Sequence, residues 1–90
     1  MKLSIQQKLE EKGISRYELA KRIGVTYPTI TSIYNGDSTS IEFEILEALC
    51  KELDCSPVDI LESDDPQMQR LLTYASKINE VNNKNKSDTV

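Results

Sequence analysis

Two helix starts only eleven residues apart, with a glycine between them, constrain this chain more than any other feature. Ser15 is followed three residues later by Glu18, the spacing of a capping box, in which the hydroxyl takes an orphan N–H of the first turn and the carboxylate reaches back to the cap's own N–H. Ile14 before the cap and Leu19 inside it can form a hydrophobic staple, and Leu19, Ala20 and Ile23 then share one narrow face. Gly24 follows the last apolar residue, where a left-handed turn costs glycine nothing. Val25 and Thr26 repeat the entry device: Thr26 is a cap, and Val25 staples to Ile30. A second short helix follows, with Ile30 and Ile33 inward, Tyr27, Pro28, Thr31 and Ser32 away from that apolar face, and Asn35-Gly36 closing it. Pro28 biases Tyr27 away from helical geometry, so an alternative start places the cap at Tyr27.

Two short helices joined through a glycine-containing turn form a helix-turn-helix, whose second helix can lie in the DNA major groove. The spacing Ser-x-x-Glu-Leu-Ala, Gly-Val-Thr, Thr-Ile-x-x-Ile-x-Asn-Gly closely resembles the Cro and lambda-repressor-like regulators of bacteria and phages. Ile41 to Leu53, and Ser56-Pro57-Val58-Asp59-Ile60-Leu61, resemble that family's fourth and fifth helices, so the likeness covers about two-thirds of the chain. It implies an all-α fold: a compact five-helix lambda-repressor-like DNA-binding domain over residues 1–62. A C-terminal amphipathic helix over 63–80 and a disordered tail over 81–90 complete the expected organisation.

The rest of the chain is consistent with one small domain. Ser4 with Gln7 is expected to cap a first helix with Ile5 and Leu9 inward, ending near Lys12-Gly13. After the polar loop Asp37-Ser38-Thr39-Ser40, Ser40 is expected to cap a helix striped by Leu46, Leu49, Cys50 and Leu53, with Ile41 and Ile45 in support. Phe43 suits core or subunit contact equally. Cys55, Ser56 and Pro57 open a short fifth helix, with Ile60 inside. Asp65 and Pro66 open the last one, where Met68, Leu71, Leu72, Ala75 and Ile78 recur at spacings of three and four. That stripe must be buried, either against its own domain or against a second copy.

Composition excludes more than it selects. With no His, and Cys50 and Cys55 five apart, the chain lacks the parts of a zinc site or of a thiol nucleophile with an imidazole base. Neither an enzyme, a cofactor, a metal nor a small-molecule ligand is expected, and both thiols read as reduced. No apolar run approaches membrane-spanning length, so a cytoplasmic protein is expected. The net charge of −4 argues against a nucleic-acid partner, but its distribution softens the objection. Residues 1–36 hold six basic side chains against three acidic, whereas 37–66 hold ten acidic and only Lys51. The helix-turn-helix half is positive, and such a polarised chain can present that end to DNA.

The resemblance implies double-stranded DNA as partner and a repressor acting as a homodimer on a two-fold-symmetric operator. It carries DNA contact onto Arg16, Tyr17, Thr26, Tyr27, Pro28, Thr29, Thr31, Ser32 and Asn35. Arg16 is expected on the phosphate backbone, Tyr27, Pro28, Thr31 and Ser32 at base edges, and Thr29 and Asn35 nearer phosphates. Two departures from the family pattern stand out: the loop after the second helix is acidic rather than basic, and no Arg, Gln or Asn occupies the outward central positions to make a bidentate base contact. A second function therefore stays open, a protein-binding helix-turn-helix module, such as an antitoxin or a regulator's partner, that uses the acidic surface.

Overall fold

The chain begins with a strand rather than a helix. In the computed structural model, which describes the backbone of residues 1–89 and the side chains of residues 1–81, β1 (Lys2–Leu3) leads into α1 (Gln6–Lys12), α2 (Arg16–Ile23), α3 (Tyr27–Tyr34), α4 (Phe43–Leu53), α5 (Pro57–Ile60), β2 (Leu61–Glu62) and α6 (Pro66–Thr89). The fold is helical apart from the antiparallel pairing of β1 with β2, Lys2 opposite Glu62 and Leu3 opposite Leu61. The tail expected over 81–90 falls, from residue 82, on side chains outside those described, and Val90 lies outside altogether.

Ile5, Leu19, Ile30, Leu49, Leu53 and Ile60 are the largest fully buried side chains. They come from the entry to α1 and from α2, α3, α4 and α5, so each element is tied in by at least one anchor, each contributing about 1.5–3 kcal/mol of apolar burial.

Two expected helix starts differ, and the alternative start offered for α3 is not used. Ser4 does not cap α1: its N–H donates to the Ile60 carbonyl at 2.7 Å, and the helix starts after Ile5 with no side-chain cap. Strand pairing with the end of α5 takes the backbone that a local cap would have used, while Ile5 is wholly buried. Ser40 does not cap α4 either; that helix starts at Phe43 after an extended Glu42. Ile41 packs against the core, and the extended backbone around it delays the helix by two residues. Tyr27 is not the α3 cap. Thr26 takes that place at φ −75°, ψ 154°, and Pro28 falls within the first turn, where its missing N–H has no helical partner to lose.

The C-terminal helix docks through a polar face. Leu72 is the buried residue on its stripe, flanked by Ser76, whose hydroxyl donates to Asp59 Oδ1 at 2.5 Å, and by Asn79, whose amide donates to Ser56 Oγ at 2.9 Å and Asp59 Oδ2 at 3.3 Å. Nearer its start, Gln69 Oε1 accepts the Ser63 N–H at 2.8 Å. Packing on its own domain thus uses only part of the expected stripe. Leu71, Tyr74, Ile78 and Val81 remain 41–66% exposed on the other side.

Candidate nucleic-acid interface

The two helices of the motif are placed by short-range devices. Ser15 Oγ accepts the Glu18 N–H at 3.1 Å, opening α2. The reciprocal half of the expected capping box is not made, because the Glu18 carboxylate accepts from Arg22 at 2.8 Å instead. A cation one turn away outcompetes a neutral N–H. Gly24, left-handed at φ 76°, then turns the chain, and its N–H and that of Val25 both donate to the Ala20 carbonyl at 3.0 Å. Thr26 Oγ1 accepts the Thr29 N–H at 3.4 Å and shares a 2.8 Å bond with the Thr29 hydroxyl. Ile30 and Ile33 are buried, which fixes the rotation of α3 and hence the face it presents.

Arg16 sits at the junction. Its guanidinium carbon lies 4.7 Å from the centre of the Tyr34 ring and 5.7 Å from that of Tyr27. Tyr17, exposed, tilts its ring against Tyr27 at 6.3 Å between centres. Tyr27 and Tyr34 lie seven residues apart on one face of α3, with Thr31 between them. The half-buried Arg16 therefore lies across that face.

Charge at this end is less available than the sequence count suggests. Arg22 is clamped by Glu52 at 2.9 Å and Glu18 at 2.8 Å, and the hydrogen bond to Glu52, then that to Glu18, raises its pKa above the ordinary value. Arg16 has no ion pair among the described residues. Of the motif's arginines, the one at the start of α2 keeps its donors uncommitted.

The remaining candidate positions divide. Thr26, Tyr27, Pro28 and Asn35 are exposed, while Thr29, Thr31 and Ser32 are half-buried rather than fully outward. The Ser32 hydroxyl is 3.3 Å from that of Ser38, so the loop after α3 engages it. The Thr31 hydroxyl is buried without a partner among the described residues. Tyr34 is the residue that sequence reasoning missed. It closes α3, packs against the core, and accepts a hydrogen bond at its carbonyl from Gln6 Nε2 at 3.1 Å. Only the fold, which brings Arg16 over its ring, reveals it.

A glycine turn between two capped helices, the second exposing Tyr27 and Pro28 at its start and flanked by an arginine without an ion pair among the described residues, defines a helix-turn-helix DNA-binding domain. More narrowly, the family model of the Cro/C1-type HTH DNA-binding domain matches residues 4–66, and the chain belongs to that family. It is 38% identical over 60 residues, 67% of this chain and 71% of the relative, to the uncharacterized HTH-type transcriptional regulator YozG of Bacillus subtilis. In structure it is similar to a chain of a solved SinR protein/SinI protein complex, with TM-score 0.61 and 26% identity over 94% of this chain and 93% of that one. These likenesses place the chain among DNA-binding transcriptional regulators rather than any class of enzyme. Among the described residues, no helix is long and apolar enough to cross a membrane.

Proposed function

We propose that the protein is a sequence-specific repressor, cytoplasmic in a bacterium or phage-encoded, that binds a two-fold-symmetric operator as a homodimer. The observation that carries this reading is Arg16, held over two tyrosines at the entrance to α2 with no carboxylate partner among the described residues. Its guanidinium meets a backbone phosphate, and Tyr17, Thr26, Thr29 and Asn35 line the same strand. Tyr27 and Pro28, at the exposed start of α3, enter the major groove and pack against thymine methyl groups; the half-buried Ser32 and Thr31 border the same base edges, Thr31 without its hydroxyl, which is buried. Because no bidentate side chain is available on that face, discrimination falls below the roughly 1–3 kcal/mol per base that such pairs supply.

The dimer contact is the exposed stripe of α6. Leu71, Tyr74, Ile78 and Val81 follow one another at spacings of three, four and three, the pattern of a two-helix seam. The same helix is docked by its opposite side, so pairing needs no rearrangement of the domain.

A footprint on the protein's own upstream region tests the reading, with Arg16→Ala and the double variant Thr31→Ala, Ser32→Ala as comparisons. Protection that the wild type gives and Arg16→Ala loses supports it. If no sequence binds better than random duplex at low salt, the proposal fails. Light scattering of a Tyr74→Ser, Ile78→Ser variant tests the seam, and a dimer that persists in it excludes α6 as the contact.

One observation favours a second reading. Phe43 is 87% exposed and lies between Glu42 and Glu44, both exposed, in the acidic segment. An apolar anchor ringed by carboxylates suits a basic protein partner. Failure of DNA binding with retained fold would move the function to that surface.

A further inference from the structure

We propose that Tyr34 is a positioning residue that presents the Arg16 guanidinium to the DNA backbone before binding. This inference rests on the assignment of Arg16 to a phosphate. A free arginine carries several rotatable bonds, and freezing them on contact subtracts from the affinity of every phosphate contact it makes. Here the side chain is already placed. The guanidinium carbon lies over the Tyr34 ring, 4.7 Å from its centre, the shorter of its two aromatic contacts, while the Tyr27 centre is 5.7 Å away.

A cation–π contact attracts the guanidinium without offering an acceptor atom to its N–H donors, so these stay available for bidentate contact with a phosphate. An ion pair would do the opposite. Arg22 shows this in the same motif, its N–H groups being taken by Glu18 and Glu52. A tyrosine platform therefore orients an arginine without consuming its charge or its donors.

The platform is rigid on its own side. Tyr34 is the last residue of α3, packs against the core, and has its carbonyl bonded to Gln6 of α1. Tyr27, in contrast, is exposed at the other end of the helix and is itself assigned to bases. The two rings thus have separate tasks, one to hold Arg16 and one to read.

The test is salt-dependent operator binding by the full chain, measured for wild type, Tyr34→Phe, Tyr34→Leu, Arg16→Ala, Arg22→Ala and the double variant Arg16→Ala, Tyr34→Leu. Tyr34→Phe keeps the ring and is expected to bind as wild type. Tyr34→Leu is expected to weaken binding roughly 2- to 10-fold per protomer, the range set by immobilising one long side chain. Removal of the contact in Arg16→Ala should flatten the plot of log affinity against log salt by about one phosphate per protomer, whereas Arg22→Ala should leave that slope unchanged. In the Arg16→Ala background, Tyr34→Leu is expected to have no further effect. Thermal unfolding of each variant reports any loss of fold separately.

A Tyr34→Leu protein that binds as tightly as wild type overturns the inference. So does one whose loss is undiminished in the Arg16→Ala background, because the effect would then be structural. If the wild type shows no operator binding, the reading of Arg16 has failed first, and that result is distinct from either outcome.

Discussion

Replacing Asp59 by alanine should release α6 while the rest of the domain stays folded. The carboxylate is the hub of the attachment, accepting from the Ser56 N–H at 2.9 Å, Ser56 Oγ at 3.2 Å, Ser76 Oγ at 2.5 Å and Asn79 Nδ2 at 3.3 Å. A hydrogen bond to a charged group contributes about 1.5–3 kcal/mol, but these donors are only half-buried and can turn to water when the acceptor goes. A total loss of about 2–3 kcal/mol follows, or roughly 30- to 150-fold in the closing equilibrium of α6. What remains is Leu72, the bond from Asn79 Nδ2 to Ser56 Oγ at 2.9 Å and the bond between Gln69 and Ser63. Hydrogen exchange measures the effect directly: the amides of residues 72–79 should lose protection by that factor, and those of α2 and α3 should not. Acid should act in the same way. Burial pulls the Asp59 pKa up, but the bonds from Ser76 and Ser56 and the field of Lys8 outweigh it and hold the carboxyl below its ordinary value. A depressed acid contributes fully above its unfolded pKa of about 3.9 and is lost as pH falls through the lower folded value. The α6 protection should therefore hold at neutral pH and fall below about pH 4, and in Asp59→Asn this acid step should vanish. Unchanged protection in Asp59→Ala, or an equal loss in α2 and α3, refutes the reasoning.

Three further perturbations bear on other parts of the molecule. Thr31→Val keeps the shape and removes a buried hydroxyl that has no partner among the described residues, so stability should rise by about 1 kcal/mol and Tm by about 4–8 °C; a lower Tm would show that the hydroxyl is satisfied in solution. Gly24→Ala meets no atom within 4 Å but must hold φ near +76°, which costs about 1–2 kcal/mol in a urea titration, and an unaltered midpoint would mean that the turn has another geometry. Partial burial pushes the half-buried Cys55 thiol up to about 12, so a disulfide reagent at pH 8 should label it more slowly than a free thiol; labelling of the native chain at the rate of a free thiol would contradict this reading.

The parts of the fold written in local chemistry were legible. Thr26, the Gly24 turn and the inward Ile30 and Ile33 need only neighbours within one helical turn, and they appear where their spacing placed them. The parts set by distant partners were not. Two-residue strands have no periodicity to read, so Ser4 looked like a cap although Ile60 takes its N–H. Ser40 was misread because the burial of Ile41 decides the path of the loop. The α6 stripe was legible as apolar, but the side that docks is chosen by Ser76 and Asn79, which a hydrophobic pattern ignores. At the candidate interface, Arg16 enters through the resemblance to the family, whereas Tyr34 beneath it is eighteen residues away and is brought to it only by the crossing of two helices.

The same contrast reconciles an acidic chain with a nucleic-acid partner. A DNA-binding surface is expected to be basic, yet the positive balance of residues 1–36 is itself reduced once Arg22 is bound by Glu18 and Glu52. What the motif retains is placement. Arg16 lies over the Tyr34 ring with no ion pair among the described residues, the start of α3 is exposed, and the buried Ile30 and Ile33 fix the rotation of that helix. Long-range attraction depends on total charge and is screened within about 8–10 Å at physiological salt, whereas a preoriented contact acts at touching distance. A chain of this composition gives up electrostatic capture of random duplex and keeps contacts that form only in register. Under the proposed function, its affinity comes from order before binding and from coupling two half-sites through one dimer. That makes the exposed seam on α6 as necessary to the proposed function as the residues that touch DNA.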